Sequence, residues 1–175
     1  MRSVLHLSFQ SDYRHFGFRE KVVMNLYRIR DNEVALFPLK YVRSILNCTR
    51  SGITQKENRG VLPPANFRSE TNNRLYSIED LAVIEYIFKE VWPSRQGLKT
   101  PEWVQELTFE ALAKSKRVVL QYGQSRNSDD WTDLHQKYNQ FNKYRLQIYI
   151  ETWRNRLLKK TDFFPELLDE GEEID

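Results

Sequence analysis

The chain has a single cysteine, Cys48. That excludes an internal disulfide and any zinc site built from clustered thiolates. With only Arg50 nearby to stabilise a thiolate, a reduced thiol in a small apolar niche is expected. Long apolar runs are missing too: none approaches the roughly 18 residues of a membrane span. The start MRSVLHLSFQSDYRH lacks the apolar segment and small-residue site of a signal peptide, so a cytoplasmic, nucleoid-associated protein is expected, with no membrane contact. The three histidines, His6, His15 and His135, are scattered among polar neighbours and form no ligand spacing, so no metal site is expected. There is no phosphate-cradling glycine-rich loop and no nucleophile motif. Glu106 and Glu110, like Asp129 and Asp133, sit one helical turn apart, as solvated helix faces and helix starts do far more often than general acid–base couples. These absences point away from an enzyme and from any cofactor or small-molecule ligand.

What is present describes a folded protein. Of its 175 residues, 40% are hydrophobic and 29% charged, enough for a sizeable core in one medium domain or two small ones. Aromatics, at 13%, imply packing by rings. The net charge of +3 is unevenly spread. Residues 37–76 hold seven Lys or Arg against Glu57 and Glu70, an excess of +5, larger than that of the whole chain. The last fifteen residues, TDFFPELLDEGEEID, hold seven acids and no base. A basic block and an acidic segment on one chain suggest nucleic acid at one and a protein or self-contact at the other.

The pattern along the chain is mostly helical. SVLHLSF alternates weakly, like a short strand, and Phe18, Val22, Leu26 and Ile29 fall at helical spacing, which predicts an amphipathic helix over residues 18–30. Pro38 suits the first turn of a short helix over 38–46. Asn47-Cys48 supplies a turn, Thr49 or Ser51 can cap a second helix ending at Gly60, and Pro63-Pro64 stops it. Residues 65–76 fit a β-hairpin with a polar turn through residues 70–73. Ser77 and Asp80 resemble a capping box opening the helix IEDLAVIEYIFKEVW. Thr100-Pro101-Glu102 starts another helix, to about Leu120. Beyond GQSRNSDD, Trp131, Leu134, Tyr138 and Phe141 and then, after a drift near Arg145, Leu146, Ile150, Trp153 and Leu157 predict one long helix to about Lys160. Its apolar seam (Trp131, Leu134, Tyr138, Phe141, Ile150, Trp153, Leu157) is read as packing surface, either within the chain or against a second copy, with the oligomerisation surface of a homodimer as the favoured reading.

Residues 37–88 resemble the winged helix-turn-helix domain of the MerR family. The resemblance rests on Phe37-Pro38, on Leu39 and Val42 at first-helix core positions, and on Ile53 and Glu57 on the second helix. It continues with the turn Gly60-Val61-Leu62-Pro63-Pro64 and with RLYSIEDL over residues 74–81, its most specific part. It covers under a third of the chain. The resemblance implies a mainly α fold, with a small β-hairpin wing and a helical C-terminal region, and an activity of sequence-specific binding to double-stranded DNA. Where the family commonly places arginines and a tyrosine pair on its recognition helix, this chain has Ser51, Thr54, Gln55 and Lys56, and Arg43 replaces a small residue. The family's operator preference and its metal- and drug-sensing role therefore do not carry over. The same fold occurs in phage excisionases and small terminase subunits.

The division expected is an extension over 1–36, the winged unit over 37–92, a helical partner region over 100–160 and an acidic tail over 161–175. On the second helix, Arg50, Ser51, Thr54, Gln55 and Asn58 would face the major groove, Gln55 or Asn58 suited to adenine and Arg50 to guanine or phosphate. Lys40, Arg43, Lys56, Arg68, Asn72 and Arg74 would meet phosphates or the adjacent groove. Arg74 is equally suited to a structural pair with Glu79 or Asp80, and Tyr76 to burial at the wing base. A transcriptional regulator without an effector domain is the leading expectation, followed by an excisionase-like or terminase-small-subunit-like assembly factor and a protein-interaction module that has lost DNA. The acidic tail is read as disordered, as a docking peptide for a protein partner, or as a decoy for the chain's own DNA-binding face.

Overall fold

Tyr27 and Ile29 alternate with Leu26 and Arg28, and across from them Val34 and Leu36 alternate with Glu33 and Ala35. Period-two burial of this kind makes a sheet with one face in a core. The computed structural model describes residues 5–6, 11–16, 20–29, 32–93 and 99–157, with side chains from Leu26 onward. Four strands precede the first helix: β1 (Leu5–His6), β2 (Ser11–Phe16), β3 (Glu20–Ile29) and β4 (Asn32–Pro38). Within the helix expected over 18–30, residues 20–29 are instead a strand, and 18, 19 and 30 lie outside the described residues. A two-residue spacing prevails over the three-and-four spacing there: Tyr27 and Ile29 are buried, and Tyr27 pairs with the buried Val34. Of SVLHLSF, only Leu5–His6 falls within the described residues, and they are extended.

Two short helices follow, α1 (Leu39–Leu46) and α2 (Arg50–Asn58), then a hairpin of β5 (Phe67–Arg68) and β6 (Arg74–Tyr76). The hairpin joins the earlier strands in one six-stranded sheet of order β1-β5-β6-β4-β3-β2. Among the described residues only the β1–β5 pair is parallel. Phe37 pairs with Tyr76 and Pro38 with Leu75, so the strand leading into α1 is bonded to the hairpin. The helical remainder consists of α3 (Ile78–Tyr86), extended by a π turn (Ile87–Val91), α4 (Glu102–Tyr122), a 3-10 turn (Ser128–Trp131), α5 (Thr132–Lys137) and α6 (Lys143–Leu157). The described residues form a mainly helical domain with a small sheet.

α3 is buried at every position but Glu85, its acids Glu79 and Asp80 included, so it is surrounded by other elements. It packs on α1, α4 and α6. One core gathers around it, with Phe37, Val42, Ile53 and Leu62 from one side and Trp131, Phe141, Leu146 and Ile150 from the other. A second core lies on the opposite sheet face, where Tyr27, Val34, Leu36, Phe67 and Leu75 meet Val119 of α4. α4 ends at Gly123 (φ 84°), where a side chain would come within 3.0 Å of Asn32. Its start differs from expectation in one respect: Pro101 stands at the cap, and Thr100 makes no cap hydrogen bond.

The long helix expected from Trp131 is broken. Tyr138 leaves α5 in extended backbone (φ −117°, ψ 118°), and Asn142 restarts the chain as a cap, its Oδ1 accepting from the N–H groups of Tyr144 (2.9 Å) and Arg145 (3.2 Å). The Tyr86 hydroxyl accepts from the Asn142 N–H at 2.7 Å and holds the break against α3. The drift in apolar phase near Arg145 marks two helices with different orientations.

Candidate nucleic-acid interface

α1 and α2 are set by local chemistry. Asn47 takes the left-handed conformation (φ 51°) that reverses the chain after α1, and its N–H returns to the Arg43 carbonyl. Thr49 caps α2, its hydroxyl accepting from the Gly52 N–H at 3.1 Å. A side chain at Gly52 would stand 3.1 Å from Cys48 Cβ, so the turn is close-packed. Cys48 is half-buried, and burial pushes its thiol pKa up against the lowering effect of Lys56 and Arg43, which suits the inert, reduced thiol expected.

α2 buries one side chain, Ile53. That single anchor sets its phase. Ser51, Gln55 and Asn58 lie three and four residues apart on the outward face, with Arg50 beside them, and all four are exposed. Thr54, expected among them, is half-buried instead. Its hydroxyl donates to the Arg50 carbonyl at 3.3 Å and accepts from Arg74 Nη2 at 3.0 Å, so it supports the helix from behind.

Arg74 has a structural partner other than the Glu79 or Asp80 expected. Its guanidinium grips Glu57 of α2 with two hydrogen bonds, Nε to Oε2 at 3.1 Å and Nη2 to Oε1 at 2.8 Å. The pair is 13% and 11% exposed. It ties the hairpin to the rear of α2. A double-mutant cycle of Arg74→Ala and Glu57→Ala should give a coupling energy of about 1–3 kcal/mol in unfolding. A value near zero would mean that the pair does not hold α2.

Lys40 and Arg43 on α1 and Arg59 at the end of α2 are exposed; Lys56 is half-buried. Arg43 also reaches the Cys48 carbonyl (3.4 Å). On the hairpin, Arg68 lies opposite Arg74 and donates to the Asn72 carbonyl at 3.1 Å, and Asn72 (φ 66°) sits at the exposed tip. Tyr76 is buried at the hairpin base, as expected, and burial pushes its hydroxyl pKa up.

Behind this unit lie two buried carboxylates whose role the sequence did not reveal. Ser77 and Asp80 form the expected capping box, with 3.0 Å bonds in both directions. Asp80 also accepts from Asn66 Nδ2 (2.8 Å) and from the Ser115 hydroxyl of α4 (2.6 Å). Glu79 accepts from the Ser125 N–H at 2.6 Å and lies 3.7 Å from the Arg154 guanidinium of α6. Ser125 in turn accepts from Trp131 Nε1 and donates to Asp130. Only the Ser-x-x-Asp spacing signalled any of this, and only for Asp80.

The seven residues read as an oligomerisation seam, Trp131, Leu134, Tyr138, Phe141, Ile150, Trp153 and Leu157, are all buried within one chain. They pack inside the helical core, so the homodimer expected from them has no surface there. The acidic tail, 161–175, lies outside the described residues. Among the described residues no group of three His, Cys, Asp or Glu could hold a metal ion, and no helix is long and apolar enough to cross a membrane. No family model, curated protein or solved structure matches the chain.

Proposed function

We propose that residues 37–91 act as a winged helix-turn-helix that binds double-stranded DNA sequence-specifically, and that the protein is a transcriptional regulator without a small-molecule effector domain. The observation that carries this reading is α2, which has one buried anchor and an outward stripe of Arg50, Ser51, Gln55 and Asn58. A helix of this length fits the major groove, roughly 12 Å wide, and amide and guanidinium side chains are the groups that read base edges there. Lys40, Arg43 and Arg59, with Arg68 and Asn72 on the hairpin, lie on or next to α1, α2 and the hairpin and are suited to phosphate contacts. The Arg74–Glu57 clamp keeps helix and hairpin in fixed relation, which a rigid reader needs.

Selection from a random duplex library should enrich one motif. Replacing both Arg50 and Gln55 with Ala should then abolish the preference, at a loss of about tenfold or more on the selected site, while binding to unrelated duplex changes little. Lys40→Ala should weaken binding on every sequence alike and lower the salt slope by about one. No enrichment, together with binding that vanishes at moderate salt, would overturn sequence-specific reading.

A further inference from the structure

The C-terminal end of α6 emerges beside α1. The Tyr41 and Trp153 rings meet edge to face at 6.1 Å, and each carries a cation: the Lys40 ammonium lies 5.2 Å from the Tyr41 centroid and the Arg156 guanidinium 4.8 Å from that of Trp153. Leu157, one turn beyond Trp153, is the last described residue. The described chain therefore ends one turn beyond a residue that touches α1 beside Lys40. On the basic face of α1 and α2, Lys40, Arg43, Arg50 and Arg59 are exposed, and among the described residues no carboxylate lies within ion-pair distance of any of them. Arg74, Lys89, Lys137 and Arg145, by contrast, each face a carboxylate.

We propose that residues 161–175 dock on the α1–α2 basic face of their own chain and compete there with DNA phosphates, which rests on the DNA-binding reading of that face. Seven carboxylates without a base match the sign and density of a short stretch of phosphate backbone. Reach is ample: fifteen extended residues span up to about 50 Å, whereas α1 and α2 are each only about 12–14 Å long. A tether this short holds the segment near the face at an effective concentration on the order of millimolar, which favours the chain's own segment over a free acidic partner. The contact is electrostatic and weakens as salt shortens the screening length. DNA with enough phosphates displaces the segment; weaker, non-specific duplex does not. The segment thereby sharpens the contrast between a cognate site and bulk DNA.

The test compares the full chain with a full-length variant in which all seven carboxylates of 161–175 are replaced by the matching amides. Amide NMR signals of residues 40–59 should differ between the two at low salt. Adding the free peptide of residues 158–175 to the variant should restore the wild-type positions. On a duplex of about 24 base pairs the variant should bind about tenfold more tightly at about 50 mM salt, with the advantage fading at several hundred millimolar. Unchanged signals over residues 40–59 overturn the docking, even where affinity rises, because a mere change in net charge raises affinity without moving those amides. Shifts that depend on protein concentration also overturn it, since they place the segment on a second copy. If the peptide moves those signals but neither protein binds any duplex, docking stands and the DNA-binding reading falls.

Discussion

Asp80→Ala is expected to lower the free energy of unfolding by about 3–5 kcal/mol, a large share of the stability of a domain this size. The carboxylate is buried and accepts from the Ser77 N–H, Asn66 Nδ2 and the Ser115 hydroxyl. Burial pushes its pKa up, while those three partners pull it down. Truncation leaves two of the donors without an acceptor; Asn66 Nδ2 keeps the Leu112 carbonyl at 2.8 Å. Each orphaned donor costs about 1–3 kcal/mol, and the capping box is lost besides. Asp80→Asn keeps one carbonyl oxygen but turns an amide N–H₂ toward donors, so it should fall between Ala and wild type. Urea denaturation measures all three, and a loss under about 1 kcal/mol for Asp80→Ala would show that the buried network is not what joins these elements. The consequence reaches the interface, because Asp80 connects the start of α3, the segment before the hairpin and α4. Loosening that junction frees the hairpin that clamps α2.

The parts of this fold that could be read in the sequence are those governed by rules acting over a few residues. Pro38, Thr49 and the pair Ser77–Asp80 mark helix boundaries through the backbone groups they satisfy or lack, and the structure places α1, α2, the hairpin and α3 with its π turn within about two residues of expectation. The misread segments are those in which two periodicities competed. In 18–30 the spacing of Phe18, Val22, Leu26 and Ile29 suits a helix, but Tyr27 and Ile29 alternate in a segment whose partner strand, Asn32–Pro38, alternates too, and pairing decides. After Trp131 the apolar spacing runs on through a polar interruption at Asn139, Gln140 and Asn142, where an Asx cap begins a new helix. Its aromatic content suggested a partner surface. The rings instead fill the interior of one chain around α3, because a buried helix needs apolar neighbours on every side.

The candidate interface divides in the same way. Ile53 is the only strongly apolar residue on α2, so its burial dictates that Arg50, Ser51, Gln55 and Asn58 face outward, and this was legible. Partner choice was not. Arg74 lies closer in sequence to Glu79 and Asp80 than to Glu57, yet both nearer acids turn into the core behind α3 while the hairpin presents Arg74 to α2. Thr54 leaves the reading face for the same reason: a donor from the hairpin claims its hydroxyl. Such choices depend on the packing of elements far apart in the chain, which no local pattern encodes.

Glu79 should make stability fall as pH rises through the neutral range, the reverse of what an ordinary surface carboxylate does. Its side chain is buried, and burial raises its pKa from 4.5 to about 7, although the Ser125 N–H and the nearby Arg154 act in the opposite direction. Below about pH 4.5 the group is protonated both folded and unfolded and costs nothing. Between about 4.5 and 7 the unfolded chain releases its proton first, so folding is progressively disfavoured, by about 3 kcal/mol once pH exceeds 7. Glu90 and Glu110, whose pKa values are lowered by Arg145 and by Lys137, act in the other direction and only at more acid pH, while Asp80, raised by burial like Glu79, is common to wild type and the Glu79 variants. Glu79→Gln keeps an oxygen to accept from Ser125 but carries no charge. Relative to wild type it should be of similar stability near pH 4.5 and more stable by about 2–3 kcal/mol at pH 8. Urea denaturation across pH 4.5–8 gives the difference directly, and parallel profiles for the two proteins would refute it. Glu79→Ala separates charge from hydrogen bonding: it too should lose the pH dependence, but it should be less stable than Glu79→Gln at every pH, because the Ser125 N–H then has no acceptor in the loop that positions Trp131 in the core.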